Sequence, residues 1–91
     1  MALQIILMKV LWDEPKRQGN ILKHGLDFAD LTDEFFLSAH TEPTRQGRIL
    51  AVGRIGDLLV ATVIYRPLGQ EAVSVISMRP ASQAERNRAN G

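Results

Sequence analysis

The sequence predicts an α+β domain in which a helical layer covers one side of an antiparallel sheet. Three observations carry this. Apolar residues recur at helical spacing between Asp27 and Phe36. Three apolar runs of strand length then follow one another from Arg48 to Arg79, and the first two are joined by Gly56-Asp57, a dipeptide suited to a tight hairpin. A chain of 91 residues makes one domain, spanning 1–91, with a modest core.

Residues 4–11, rich in Ile, Leu and Val, are read as a first strand. Asp13, Glu14 and Pro15 then announce a helix: a carboxylate to cap it, an acid in its first turn, and a proline whose missing N–H does no harm there. This helix is predicted to run to His24 and to stop at a left-handed Gly25. Lys23 and His24 in its last turn would satisfy free carbonyls and the helix dipole. Lys16, Asn20 and Lys23, spaced by four and three, share one polar, positive face. Asp27 is predicted to cap a second helix whose core stripe is Phe28, Leu31 and Phe35, with Phe36 beside it. Residues 38–47 read as a loop.

The strands of the meander are predicted at 48–55, 58–66 and 72–79. A two-residue turn at Gly56-Asp57 sets Ile55 against Leu58, Arg54 against Leu59 and Arg48 against Tyr65. Opposed residues project to the same side, so Arg48, Arg54 and Tyr65 share a face. A turn at 67–69 that sets Tyr65 against Val73 adds Ser77 and Arg79 to that face, with Arg79 level with Arg54. Val63 and Val75 would flank these residues. The opposite face would offer Ile49, Ala51, Leu58, Val60, Thr62, Ile64, Ile76 and Met78 to the phenylalanine-rich helix. Ser82 and Glu85 form a capping box for a short last helix.

Composition narrows the function classes. With 45% hydrophobic and 23% charged residues the chain is an ordinary soluble domain, and without cysteine it has neither disulfides nor a thiol nucleophile. A net charge of +1 is too mild to attract nucleic acid by bulk electrostatics, so any anion site must be a local cluster. The apolar stretch 3–12 is interrupted by Gln4 and Lys9 and is too short for a membrane span, and a signal-peptide pattern is lacking. A cytoplasmic protein with no membrane partner is expected. There is no glycine-rich phosphate loop, paired-carboxylate signal or nucleophile elbow, and His24, Asp27 and Asp30 match no ligand spacing. Neither cofactor nor metal is expected, and His40 is left out of the candidate site. Arginines and a tyrosine on an open sheet face suit a phosphodiester, because guanidinium forks match phosphate oxygens and a ring can stack on a base. The residues alone therefore describe an α+β domain with a candidate anion-binding sheet face.

The order of local motifs extends this reading. Trp12-Asp13-Glu14 with Lys16, then Asn20, Lys23-His24-Gly25 and Phe28, then Arg48, Gly53-Arg54 and Tyr65, then Ile76-Ser77-Met78-Arg79 with Ala81 and Glu85-Arg86, resembles the BrnT family of toxins from type II toxin–antitoxin systems. The match runs from about Lys9 to Arg88. It implies a RelE-like fold and a metal-independent endoribonuclease that blocks translation. It also implies a cognate antitoxin that neutralises the toxin and, in complex with it, binds operator DNA. By the same resemblance Lys23, His24, Arg48, Arg54, Tyr65 and Arg79 are functional positions. The chain departs from the family at Ser74 and Pro80, where basic residues are usual, and residues 1–7 extend past the usual start, so Met8 is an alternative initiator.

Within that frame Lys23, His24, Arg54, Tyr65 and Arg79 are the catalytic candidates, and Lys16, Asn20, Arg48 and Ser77 the RNA-binding ones. Arg54 and Arg79 would stabilise the phosphate, since arginine stays charged. Lys23 or His24 would transfer protons, and Tyr65 would stack on a base or donate to the leaving oxygen. The alternative is a catalytically weak or inactive module, altered at Ser74 and Pro80, that binds antitoxin and operator DNA. A third reading is a domain whose sheet face docks another protein through Val63 and Val75.

Overall fold

The computed structural model describes residues 8–57 and 59–90. Among these residues, five strands and three α-helices follow in the order β1 (Lys9–Trp12), α1 (Glu14–His24), α2 (Asp33–Ser38), β2 (His40–Pro43), β3 (Ile49–Ile55), β4 (Leu59–Leu68), β5 (Ala72–Pro80) and α3 (Gln83–Asn90). They form one sheet in the order β1-β5-β4-β3-β2. The α+β class stands, and so does the β3-β4-β5 meander. The sheet is mixed rather than wholly antiparallel, because β1 pairs in parallel with β5 from Lys9 opposite Ala72 to Trp12 opposite Val75. The predicted first strand began at residue 4; residues 4–7, like the predicted strand position Leu58, lie outside the described residues.

Local signals explain most of the elements. Gly25 adopts φ 72° and its N–H reaches the Ile21 carbonyl at 2.8 Å, ending α1 where expected. Asp13 occupies the N-cap position but its side chain makes no capping bond. Asp27 does cap, accepting from the Ala29 N–H, yet it starts only a 3₁₀ turn over Phe28–Asp30. The expected second helix is interrupted at extended Leu31, and α2 begins afresh from Thr32, whose hydroxyl caps the Phe35 N–H. Thr32-Asp33-Glu34 is itself a helix-start signal and prevails over continuation. β2 replaces part of the expected loop. It is polar, four residues long and ends in proline, a composition that only an edge strand tolerates.

The core lies between the sheet and the layer formed by the 3₁₀ turn and α2. Phe28, Phe35, Ala51, Val63, Val73, Val75 and Met78 are buried there. α1 lies along β5, and Asn20 joins it to that strand. The helices were expected on one face of the sheet, but they do not all share one side. Glu85 of α3 receives the Thr62 hydroxyl and the Arg79 guanidinium, and both of those residues project away from the phenylalanine core.

Pairing within the meander decides which side chains share a face. Ile55 lies opposite Leu59, one residue later than the two-residue turn predicted, so Arg54 meets Val60 and Tyr65 meets Ile49. A second irregularity, a bulge after Ile64, sets Tyr65 against Val75 and Ser77 against Ile64. The β3–β4 pairing differs from the predicted one by one residue and the Ser77–Ile64 pairing by three; each odd shift inverts the faces, and the two cancel between β3 and β5. Arg48, Arg54, Ser77 and Arg79 therefore share a face as predicted, whereas Tyr65 turns to the core side and Val60, Thr62 and Ile64 join the arginines. Val63 and Val75, expected beside the arginines, are 0% and 1% exposed. That burial removes them as a docking surface. Among the described residues no helix is long and apolar enough to cross a membrane.

Candidate nucleic-acid interface

The face of the sheet turned away from the phenylalanines is rich in arginine. Leu50, Ile64 and Ser77 form one row across three strands; Val52, Thr62 and Arg79 form the next; Arg54 and Val60 form a third. Alternation adds Arg48 and Arg66 at the other end, with Arg66 opposite Ser74. α3 crosses this face and contributes Arg86 and Arg88. The acidic residues that meet these arginines are already engaged. Glu85 holds Arg79, and Glu42 holds Arg88 at 2.9 Å and the His40 ring at 2.9 Å. The Arg88 guanidinium, and then His40, lower the Glu42 pKa below its ordinary value.

Arg79 is the most constrained of the group. Its Nη1 and Nη2 donate to the two Glu85 carboxylate oxygens at 2.7 and 2.8 Å. Glu85 is held in turn by the Ser82 N–H and the Thr62 hydroxyl, both at 2.9 Å, and the Ser82 hydroxyl accepts from the Glu85 N–H. The capping box read from the sequence thus also fixes an ion pair. The Arg79 bonds, outweighing burial, bring the Glu85 pKa down to about 2, and the Arg79 pKa is raised by the same contact. Arg54 is exposed and its Nη1 reaches only the Asp57 carbonyl, at 3.2 Å. Arg48 is half-buried, and its Nε has no hydrogen-bond partner among the described residues.

The remaining candidates divide. Asn20 is 7% exposed and its amide is fully used: Nδ2 donates to the Leu26 and Met78 carbonyls and Oδ1 accepts from the Met78 N–H. It fastens α1 to the β5 edge and has no free group for RNA. Lys23 and His24, three and four residues on, share Asn20's side of α1, which brings them beside that edge. Lys23 is exposed and His24 half-buried, while Lys16 is exposed near the start of the helix. Tyr65 is not brought together with the arginines. Its ring packs edge-on against Phe36, 5.4 Å between centroids, and burial raises its pKa. Arg66 and Arg86 were not singled out from the sequence. The alternation of β4 could have shown the first, and the spacing of Arg86, Ala89 and Asn90 on one side of α3 the second. Among the described residues no cluster of three His, Asp or Glu side chains could hold a metal ion.

Comparison with known proteins gives this arrangement a family. No curated protein sequence matches the chain significantly. A solved structure does: the 1.1 Å crystal structure of the Brucella abortus ribonuclease toxin, BrnT, is 62% identical and superposes with a TM-score of 0.78, covering 84% of this chain and 99% of that one. The family model described as "Ribonuclease toxin, BrnT, of type II toxin-antitoxin system" matches residues 12–85, which include every residue of the arginine face except those of α3 beyond Glu85. The chain therefore belongs to the BrnT family of type II toxin–antitoxin ribonuclease toxins.

Proposed function

We propose that this chain is a metal-independent endoribonuclease acting on the arginine face, and that its cleavage of RNA inhibits translation in the cytoplasm. Membership of a type II toxin family implies an RNA substrate and an antitoxin partner; binding of operator DNA through the antitoxin complex belongs to the proposal. The observation that carries the reading is the pairing that gathers Arg48, Arg54 and Arg79 on one face, away from the core. The ribonuclease names of the family and of the solved relative favour the enzyme over the silent binding module.

Cleavage without a metal requires a 2′-hydroxyl to lose its proton and attack the adjacent phosphorus. A 2′,3′-cyclic phosphate forms, the P–O5′ bond breaks, and the 5′-oxygen leaves with a proton. Arg54, which has no carboxylate partner among the described residues, supplies charge to the phosphate oxygens. Arg79 adds the N–H groups that Glu85 leaves free, from a guanidinium held still by that carboxylate. His24 or Lys23, at the β5 edge beside Met78, moves the protons. Ser77 and Arg48 bind the strand on either side of Ile64 and Leu50, with Lys16 farther along α1.

The test is cleavage of a long unstructured RNA in EDTA, comparing wild type with Arg54→Ala and Arg79→Lys. Cleavage that survives the chelator and falls on the order of a hundredfold in Arg54→Ala supports the reading. Loss of all cleavage in EDTA, with recovery on adding a divalent metal, overturns metal independence.

A further inference from the structure

On the arginine face, beside α3, lies a cleft of about 460 Å³. Arg54, Arg86 and His40 line it together with Val52, Val60 and Ala89. Among the described residues neither Arg54 nor Arg86 is in an ion pair, although both are exposed. Glu42, the partner of His40, is also held by Arg88. The cleft is thus positive and mostly polar in its lining, which suits an anion. Its volume is in the range of sites for nucleotide-sized ligands.

We infer that this cleft is a phosphodiester subsite in which Arg86 joins Arg54 on a phosphate of the RNA. The inference takes the nature of the ligand from the ribonuclease reading, while the cleft and its charges stand apart from it.

The experiment measures anisotropy of a labelled 2′-O-methyl RNA, which cannot be cleaved because its 2′-oxygen carries no proton, at a series of salt concentrations. Arg86→Ala is expected to weaken binding about tenfold and to reduce the slope of log K against log salt by about 0.7, the loss of one phosphate contact. Arg86→Lys should keep the slope. Arg45→Ala, which removes an exposed charge from the β2–β3 turn at the far end of β3, should match wild type. Unchanged affinity and slope in Arg86→Ala, or an equal loss in Arg45→Ala, overturns the subsite. Because the probe is inert, the two readings fail separately. Binding that depends on Arg86 without any cleavage of ordinary RNA keeps the subsite and removes the enzyme; cleavage with binding indifferent to Arg86 does the reverse.

Discussion

Asn20 and Met78, 58 positions apart, are joined by a reciprocal pair of hydrogen bonds: the Asn20 amide donates to the Met78 carbonyl at 2.8 Å and the Met78 N–H donates to Asn20 Oδ1 at 3.0 Å. β1 ends at Trp12, opposite Val75, so on that edge β5 has no neighbouring strand beyond that point. A single side chain continues the ladder that β1 began. Replacing Asn20 with Ala leaves a buried N–H and carbonyl unpaired, at a cost of about 2–4 kcal/mol. Urea unfolding of Asn20→Ala checks this; a loss below about 1 kcal/mol would mean that the edge is readily satisfied by water instead.

Glu85 ties stability to acid pH. Its folded pKa, about 2, lies below the ordinary 4.5. A depressed carboxylate contributes its stabilisation fully above about pH 4.5 and loses it as pH falls towards 2, and the shift corresponds to at most about 3 kcal/mol. The urea midpoint of the wild type should fall across that window. Glu85→Gln, which has no carboxylate to protonate, should show a lower midpoint at neutral pH and a shallower fall below pH 4.5. Parallel pH profiles for the two proteins would show that the ion pair is not the source.

How much of this was legible beforehand depended on whether a signal was local. The Gly25 stop and the Ser82–Glu85 capping box depend on residues within a few positions, and both are present; the phenylalanines are buried as expected, but on a 3₁₀ turn and a separate helix rather than on one helix. Tyr65 was misplaced because its face follows from a pairing that one residue inverts, and neither the later pairing of Ile55 nor the bulge at Ile64 has a distinctive local residue. Arg54, Ser77 and Arg79 were grouped correctly through two shifts that cancel. β2 was invisible for want of apolar residues. Asn20 was read as one of a helix's polar residues because the backbone it serves lies in β5.

Gly53 marks the closest approach of α2 to the sheet. A Cβ there would stand 2.9 Å from Phe35 Cε2 and 3.2 Å from the Ala39 Cβ. Phe35 is 1% exposed and has little room to retreat. Gly53→Ala should therefore destabilise the fold by about 1–3 kcal/mol. Phe35→Leu makes room while opening a void, so the double variant should lose less than the sum of the two single losses. Thermal unfolding of the four proteins measures the coupling, and strict additivity would show that the ring and the added methyl do not meet.

Arg54 and Tyr65 separate the face that binds from the face that packs. Arg54 projects from β3 beside the cleft, whereas Tyr65 lies across the sheet against Phe36, and its hydroxyl makes no hydrogen bond among the described residues. If the arginine face performs the chemistry, Arg54→Ala should lower kcat/KM for RNA on the order of a hundredfold. Tyr65→Phe keeps the edge-on ring contact and removes only the hydroxyl, so its kcat/KM should remain within about threefold of wild type. The two variants are compared on one RNA under one salt condition, because phosphate binding is salt-dependent. A hundredfold loss in Tyr65→Phe with a stable fold would place a proton donor on the core side of the sheet, and RNA would then have to wrap the β4 bulge to reach it.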